Sequence, residues 1–190
     1  MILSLYRKFQ SWSDGGSVWL ISDTHFDDND RNTMGYTLSE KEQIDIIKKR
    51  VFKNDTLVHL GDVGNPEYLK DLKCRKVLIL GNHDSAATKF EEYFQEIYSG
   101  PLFIGEKILL SHEPIDLGSI AFNFHGHDHN PENTGSYNRM NLAANVVQCL
   151  PMNLGKLIKQ GILKNIDGIH RLTIDQAIEK KRLRDGSDLL

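Results

Sequence analysis

Short apolar runs, each closed by small or ligand-type residues, recur along the chain. Val18 to Ile21 leads to Asp23-Thr24-His25, and Thr56 to Leu60 to Gly61-Asp62. Val77 to Leu80 leads to Gly81-Asn82-His83-Asp84, Ile108 to Leu110 to Ser111-His112, and Ile120 to Phe124 to His125-Gly126-His127-Asp128-His129. A brief uninterrupted apolar run between turn residues reads as a strand buried on both faces. Open α/β sheets collect their ligands just beyond the carboxyl ends of such strands. Five predicted strand ends therefore present carboxylate, imidazole or amide side chains.

The intervening pattern supplies the helices. Ser39 with Glu42 forms a capping box ahead of Ile44, Ile46, Ile47 and Val51, which predicts a helix from about 40 to 52. A short helix is expected over 66–72 after Asn65, a third strand over 76–80, and a further helix over 86–98. This β-α-β-α-β order predicts parallel strands joined by right-handed crossovers. From Leu102 the rhythm changes, and strands at 102–104, 107–110, 120–124 and 142–147 follow one another between Gly, Pro and Asn. A second sheet packed on the first accommodates them. Helices over 153–160 and over 175–184, the latter behind a Thr173-to-Gln176 capping box, complete the pattern. Apolar positions 2, 5, 6, 9 and 12 suggest a short amphipathic helix or a docked extension at the start, packed on the domain or on another subunit of a homo-oligomer. With no repeat or linker, residues 1–190 read as one domain, with a core over about 17–160 and extensions at 1–16 and 161–190. The polar stretch from Asp27 to Tyr36 is expected to form a mobile loop beside the strand ends, from which substrate contacts would come.

Composition narrows the function classes. A chain of 190 residues, 39% hydrophobic and 26% charged, suits a globular domain, and a net charge of -3 offers no broad footprint for nucleic acid. Cys74 and Cys149 are far apart in the chain, so neither a disulfide framework nor a zinc knuckle is expected, and a cytoplasmic setting fits. Arg7 and Lys8 interrupt the apolar residues at the start, so no leader peptide is expected, and no run reaches membrane-span length.

The donors at the strand ends can be read as coordination chemistry. Four ligands around each of two ions require eight donor positions, and Asp23, His25, Asp62, Asn82, His112, His127 and His129 supply them if one carboxylate bridges. Asp62, alone after its glycine, is the natural bridge. Oxygen and nitrogen donors without thiolate suit Mn, Fe, Ni or Zn. Two divalent ions against two carboxylates and a bridging hydroxide leave a net positive site that attracts phosphate. Such ions lower the pKa of a shared water to supply a nucleophile and hold phosphoryl oxygens during in-line displacement. His83, beside Asn82, is the candidate proton donor to the leaving alkoxide, with Asp84 orienting its ring and Gly81 allowing a tight turn.

Asp23-x-His25, Gly61-Asp62, Gly81-Asn82-His83-Asp84, His112 and Gly126-His127-x-His129 stand in the order and rough spacing of the calcineurin-like metallophosphoesterases. The chain resembles that family from about Val18 to Leu157, and most closely its small, cap-less bacterial and phage-type members. The resemblance implies the α/β metallo-dependent phosphatase fold, a four-layer α-β-β-α sandwich of two mixed sheets. It also implies one metal on Asp23, His25, Asp62 and His129 and another on Asp62, Asn82, His112 and His127. Three departures are visible: Asp27-Asp28 stand where close relatives often carry Gly-His, Leu80 replaces the Arg of the phosphoprotein-phosphatase branch, and Val63 to Pro66 provides neither an Asp-Arg-Gly clamp nor a tyrosine ligand.

Together these readings predict a binuclear-metal phosphoesterase, Mn being the expected ion, that acts on small phosphorylated substrates, phosphodiesters or a nucleotide among them. A phosphomonoesterase, or a non-catalytic metal-binding scaffold of the same fold, is the alternative. Outside this set, His59 reads as a core or supporting histidine, His125 as a pocket-lining or supporting one, and His170 as a surface residue. Arg31, Asn32 and Asn123 read as loop or turn residues.

Overall fold

A computed structural model describes Trp12 and residues 15–132, 135–136 and 138–186. The helix expected within residues 1–16 lies outside them except at Trp12, 15 and 16. The order of elements is β1 (Val18–Ile21), α1 (Glu40–Lys48), β2 (Thr56–His59), β3 (Arg75–Ile79), β4 (Glu96–Tyr98), β5 (Leu102–Ile104), β6 (Ile108–Leu110), β7 (Phe122–His125), β8 (Gly135–Ser136), β9 (Arg139–Asn141), β10 (Met152–Asn153), α2 (Leu154–Lys159) and α3 (Ile169–Gly186). Short 3-10 turns occupy Pro66–Leu69 and Ala87–Phe90.

The strands form two mixed sheets, ordered β10-β1-β2-β3-β4 and β5-β6-β7-β9-β8. In the first, β1 to β4 are parallel, as predicted for β1 to β3, with Leu20, Val58 and Val77 in register and Ile21, His59 and Leu78 in the next row. Side chains alternate across a strand. Leu20, Val58 and Val77 therefore point into the core between the sheets, against Ile108, Leu110, Phe122 and Phe124. Ile21, Leu57 and Leu78 point to the opposite face, where Ile44 and Ile47 of α1 cover them. The result is an α/β sandwich of two mixed sheets with helices.

Helix α1 begins at the predicted capping box, whose two reciprocal bonds are both present. It stops at Lys48 instead of continuing to Phe52 because the Asp55 carboxylate accepts from the amides of Phe52 and Ser17 and from the Trp19 indole, which turns the chain into β2. The helix expected over 86–98 is replaced by the 3-10 turn and β4. Phe90 and Phe94 are buried as a helical spacing would have them, but Glu96–Tyr98 pairs with Val77–Ile79 and completes that edge of the sheet. The strand expected over 142–147 is also absent. β9 ends at Asn141, the Asn141 side chain accepts from the Ala143 amide, and turns follow. Helix α3 starts at Ile169, so Thr173 lies inside it and not at its cap. Among the described residues no helix is long and apolar enough to cross a membrane.

Candidate metal centre

Because β1, β2 and β3 run parallel in register, the loops carrying Asp23, Asp62 and Asn82 leave the first sheet at one edge. Parallel pairing of β6 with β7 does the same for His112, His127 and His129 in the second sheet. Backbone bonds join the loops within and across the edges: Asp23 N donates to Gly61 O at 2.9 Å in the first, Gly126 N to His112 O at 2.8 Å in the second, and Ser22 N to Leu142 O at 3.0 Å between them. The approach is close enough that a Cβ on Gly126 would fall 2.0 Å from the Asp23 carboxylate. Gly81 is needed for a similar reason and not for an unusual turn: its φ is not positive, but a Cβ there would meet Asp62 Oδ1 at 2.2 Å.

The seven predicted ligands converge. Asp62 Oδ2 lies 3.7 Å from His25 Nε2 and 3.3 Å from His112 Nε2, so one oxygen faces an imidazole from each predicted set. Asp23 Oδ1 lies 4.0 Å from His25 Nε2 and 3.7 Å from His129 Nε2. Asn82 Oδ1 stands 2.8 Å from His112 Nε2 and 3.0 Å from His127 Nδ1. Among the described residues, two trios have ligand atoms mutually within 4.8 Å, Asp23 with His25 and His129, and Asp23 with Asp62 and His112. Asp23 is thus common to both trios, while Asp62 has the single oxygen that reaches both sides.

The fit to a cation is tested most directly by the imidazole tautomers. His112 Nδ1 donates to Leu60 O at 2.9 Å, and His25 Nδ1 to Asp28 Oδ2 at 2.8 Å. His129 Nδ1 donates to Asn145 Oδ1 at 3.1 Å, the amide being fixed by its own donation to Met34 O and His129 O. In the neutral ring each bond places the proton on Nδ1 and leaves the Nε2 lone pair turned inward, the arrangement that metal-ligating histidines adopt. His25 Nε2 is buried and makes no hydrogen bond. An orphaned buried nitrogen between two carboxylates is costly unless a further group satisfies it. The backbone carries strain at the same places: Asp23, His25, Asp62 and His127 have φ of 52°, 43°, 55° and 68°, a left-handed region that non-glycine residues rarely occupy. Donor types, tautomers and convergence all fit divalent ions.

Local electrostatics follow from burial and pairing. Burial pushes the Asp23 carboxyl up to about 7, against the pull of His112. For Asp62 burial also raises the pKa, but the hydrogen bond and charge of His112 and the His83 amide outweigh it and bring the group down to about 2. His112 is the counterpart: burial opposes its protonation, and Asp62 and Asp23 raise it nonetheless. Cations among these donors would offset the cost of burying two carboxylates.

Several supports were not legible as such. Asp28, which reads as part of an unusually acidic loop, is the partner of His25, and Asn145 is the partner of His129. Arg31 is buried and donates to the carbonyls of Thr24, His25 and Leu38 and to Gln43 Oε1, with Glu40 at 3.2 Å. It braces the ligand loop from behind, as does Tyr36, whose hydroxyl donates to Asp23 O. The only advance signal for Asp28 is its position three residues after His25.

The remaining predicted residues divide. His83 is exposed beside His25, the ring centroids 5.4 Å apart, and its amide donates to Asp62 Oδ1 at 2.9 Å. Asp84 does not steady the His83 ring as expected. Its carboxylate accepts from the amides of Asp62, Val63 and Gly81 at 2.8 Å, 3.1 Å and 2.9 Å, and so holds two ligand loops together. His125 is buried and donates to Gly126 O, apart from both trios. His59 is a core histidine: Gly61 N donates to its Nδ1, so Nε2 carries the proton and meets Thr24 Oγ1 at 3.0 Å. Asn123 is buried and fully engaged with backbone groups and Ser111. Asn32 sits in a turn closed by Gly35 N to Asn32 O at 3.2 Å. The side chain of His170 lies outside the described residues.

No curated protein matches the chain. Among solved structures, a protein of unknown function from Aquifex aeolicus shares the fold with a TM-score of 0.61 at 24% identity, over 76% of this chain and 98% of that one. The Pseudomonas putida nuclease MPE aligns at 21% identity over 58% of this chain and 59% of that one, with a TM-score of 0.41. Residues 17–160 match the calcineurin-like phosphoesterase superfamily domain, and the chain belongs to that superfamily.

Proposed function

We propose that the chain is a binuclear-metal phosphodiesterase. Asp23, His25 and His129 with Asp62 would hold one divalent ion, and Asn82, His112 and His127 with the same Asp62 the other, Mn being the expected metal. When bound, the ions supply Lewis acidity to phosphoryl oxygens and lower the pKa of bound water. The observation that carries the proposal is His25 Nε2, buried, without a hydrogen bond, and turned between Asp23 and Asp62.

The chain's own residues divide the rest of the work. Asp62 is held with Oδ1 on the His83 amide and Oδ2 toward His25 and His112, so its orientation is set before any ligand arrives. Asp84 fixes the loops bearing Asp62 and Asn82 relative to one another. His83 stands exposed at the rim, where its imidazole carries a proton to the oxygen of the departing alkoxide. An alkoxide is a poor leaving group, so a proton donor there suits unactivated alkyl diesters.

The test is turnover of bis(p-nitrophenyl) phosphate and p-nitrophenyl phosphate by Mn-loaded protein, with metal content measured alongside. We expect the diester to be the better substrate. In His83→Ala, turnover of a dialkyl diester, whose alkoxide needs the proton, should fall about a hundredfold or more with metal content unchanged, and that of bis(p-nitrophenyl) phosphate should fall much less. No turnover of any phosphate ester by metal-loaded protein would leave a binding scaffold instead.

A further inference from the structure

Two cavities flank the donor cluster and differ in chemistry. The first, about 410 Å³, opens beside His25 and His83 and is walled by Asp27, Asp28, Asn65 and Lys89. The second, about 260 Å³, opens beside Asn82 and His112 and is walled by Ile79, Leu80, Pro101 and Ile115. They share no lining residue. Between them stands Asp62, whose Oδ2 is 3.7 Å from His25 Nε2 and 3.3 Å from His112 Nε2. Each is at or below the lower part of the range for a whole small-molecule site, which suits one substituent of a ligand better than the whole of it.

We infer that the substrate is an asymmetric phosphodiester, whose hydroxylated neutral arm occupies the Asp27–Lys89 cavity and leaves, and whose apolar arm occupies the Ile115 cavity and stays on the phosphate. The inference rests on the phosphodiesterase reading above and adds direction to it. His83 lines the first cavity only, so the alcohol it can protonate is the one seated there. That cavity has two carboxylates and one ammonium group. Asp27 already accepts from Asn65 and Tyr68, and Asp28 from His25 and the Asp30 amide. The surplus of acceptors and the net negative charge favour hydroxyl groups and repel a second phosphate. Lys89 Nζ donates to Gly64 O at 3.1 Å and has two further protons for a hydroxyl oxygen. The second cavity sets Ile79, Leu80, Pro101 and Ile115 beside the polar Ser99, Ser111 and Glu113, and its hydrocarbon part favours an aryl or alkyl group.

The hydrolysis balances as one water consumed. Its oxygen bonds to phosphorus, the bond from phosphorus to the polar alcohol's oxygen breaks, that oxygen takes a proton from His83, and the proton given up by the water restores His83 through solvent. The products are the polar alcohol and the apolar monoester.

The test uses benzyl glyceryl phosphate, a diester of two primary alcohols, so intrinsic leaving ability does not decide the outcome. Mn-loaded protein should release glycerol and leave benzyl phosphate. With Mg in place of Mn, benzyl phosphate should shift the Ile115 methyl resonances and glycerol phosphate should not. In Ile115→Glu the preference for benzyl over methyl glyceryl phosphate, in kcat/KM, should fall about tenfold. Release of benzyl alcohol, or of both alcohols equally, would overturn the assignment of the arms while leaving the phosphodiesterase reading intact. Failure to cleave any diester, bis(p-nitrophenyl) phosphate included, would overturn that reading itself.

Discussion

The two halves of the candidate centre are built differently. Asp23 and His25 are 0% and 1% exposed, and the imidazoles of their half are backed by Asp28 and Asn145, with Arg31 bracing the loop from behind. Asn82 and His127, in the other half, are exposed. There Asn82 Oδ1 faces both imidazoles, and His127 has its amide on Asp23. The first half is centred on the buried Asp23 and His25, whereas the second joins one buried imidazole, His112, to two exposed donors. A preassembled site loses less freedom on binding. The buried half is therefore expected to fill first and hold its ion more tightly, and the exposed half to exchange.

The largest effect should come from removing what the halves share. Asp62→Ala is expected to weaken both ions and reduce diester turnover on the order of a thousandfold, the scale of losing a principal electrostatic group. Loss of one ion alone, seen by metal analysis, would show that Asp62 does not connect the halves. Next in size, Arg31→Met leaves the buried Thr24 carbonyl without its donor, removes the bonds to His25 O and Gln43, and should cost about 3 kcal/mol in urea unfolding. A neutral result would mean that Arg31 does not brace the buried half.

The halves separate most cleanly under paired substitutions. Asp28→Ala should weaken the tighter Mn site about 10- to 100-fold, because His25 loses the partner that orients it, while Asn82→Ala should weaken only the looser one. Calorimetric titration reads both, and equal effects on both sites would dissolve the distinction.

The smallest effect, read per pH unit, is a pH dependence. Burial pushes His59 down to about 3, and its two nitrogens tie the Asp23 loop to the Asp62 loop through Thr24 and Gly61. The unfolded histidine takes a proton near 6.5 while the folded one does not. Its contribution is therefore fully present above that pH and declines at about 1.4 kcal/mol per unit as pH falls from 6.5 toward 3. Comparing wild type with His59→Gln by urea unfolding across that window should show the excess slope vanish. An unchanged slope would place the acid sensitivity elsewhere.

The same contrast explains what could be read in advance. Strand ends were legible because each buried run is short, apolar and closed by a ligand-type residue, so the candidate donors of both halves could be named from local pattern. Their supports were not. The contact of Asp28 with His25 needs the left-handed turn at His25, and that of Asn145 with His129 joins two loops 16 residues apart. The fold missed by the sequence pattern has a similar origin. Phe90 and Phe94 carry a helical spacing, but the open edge of β3 recruits the following residues as β4. At 142–147, Leu142, Ala143 and Ala144 are buried as in a strand, but the turns that follow bring Asn145 to His129.

The most direct measurement is anomalous diffraction at the manganese edge from crystals of the protein soaked in increasing Mn. Two peaks are expected on either side of Asp62 Oδ2, with the one among Asp23, His25 and His129 filling at the lower concentration. A single peak, or two peaks that fill together without Asp62 between them, would contradict the account.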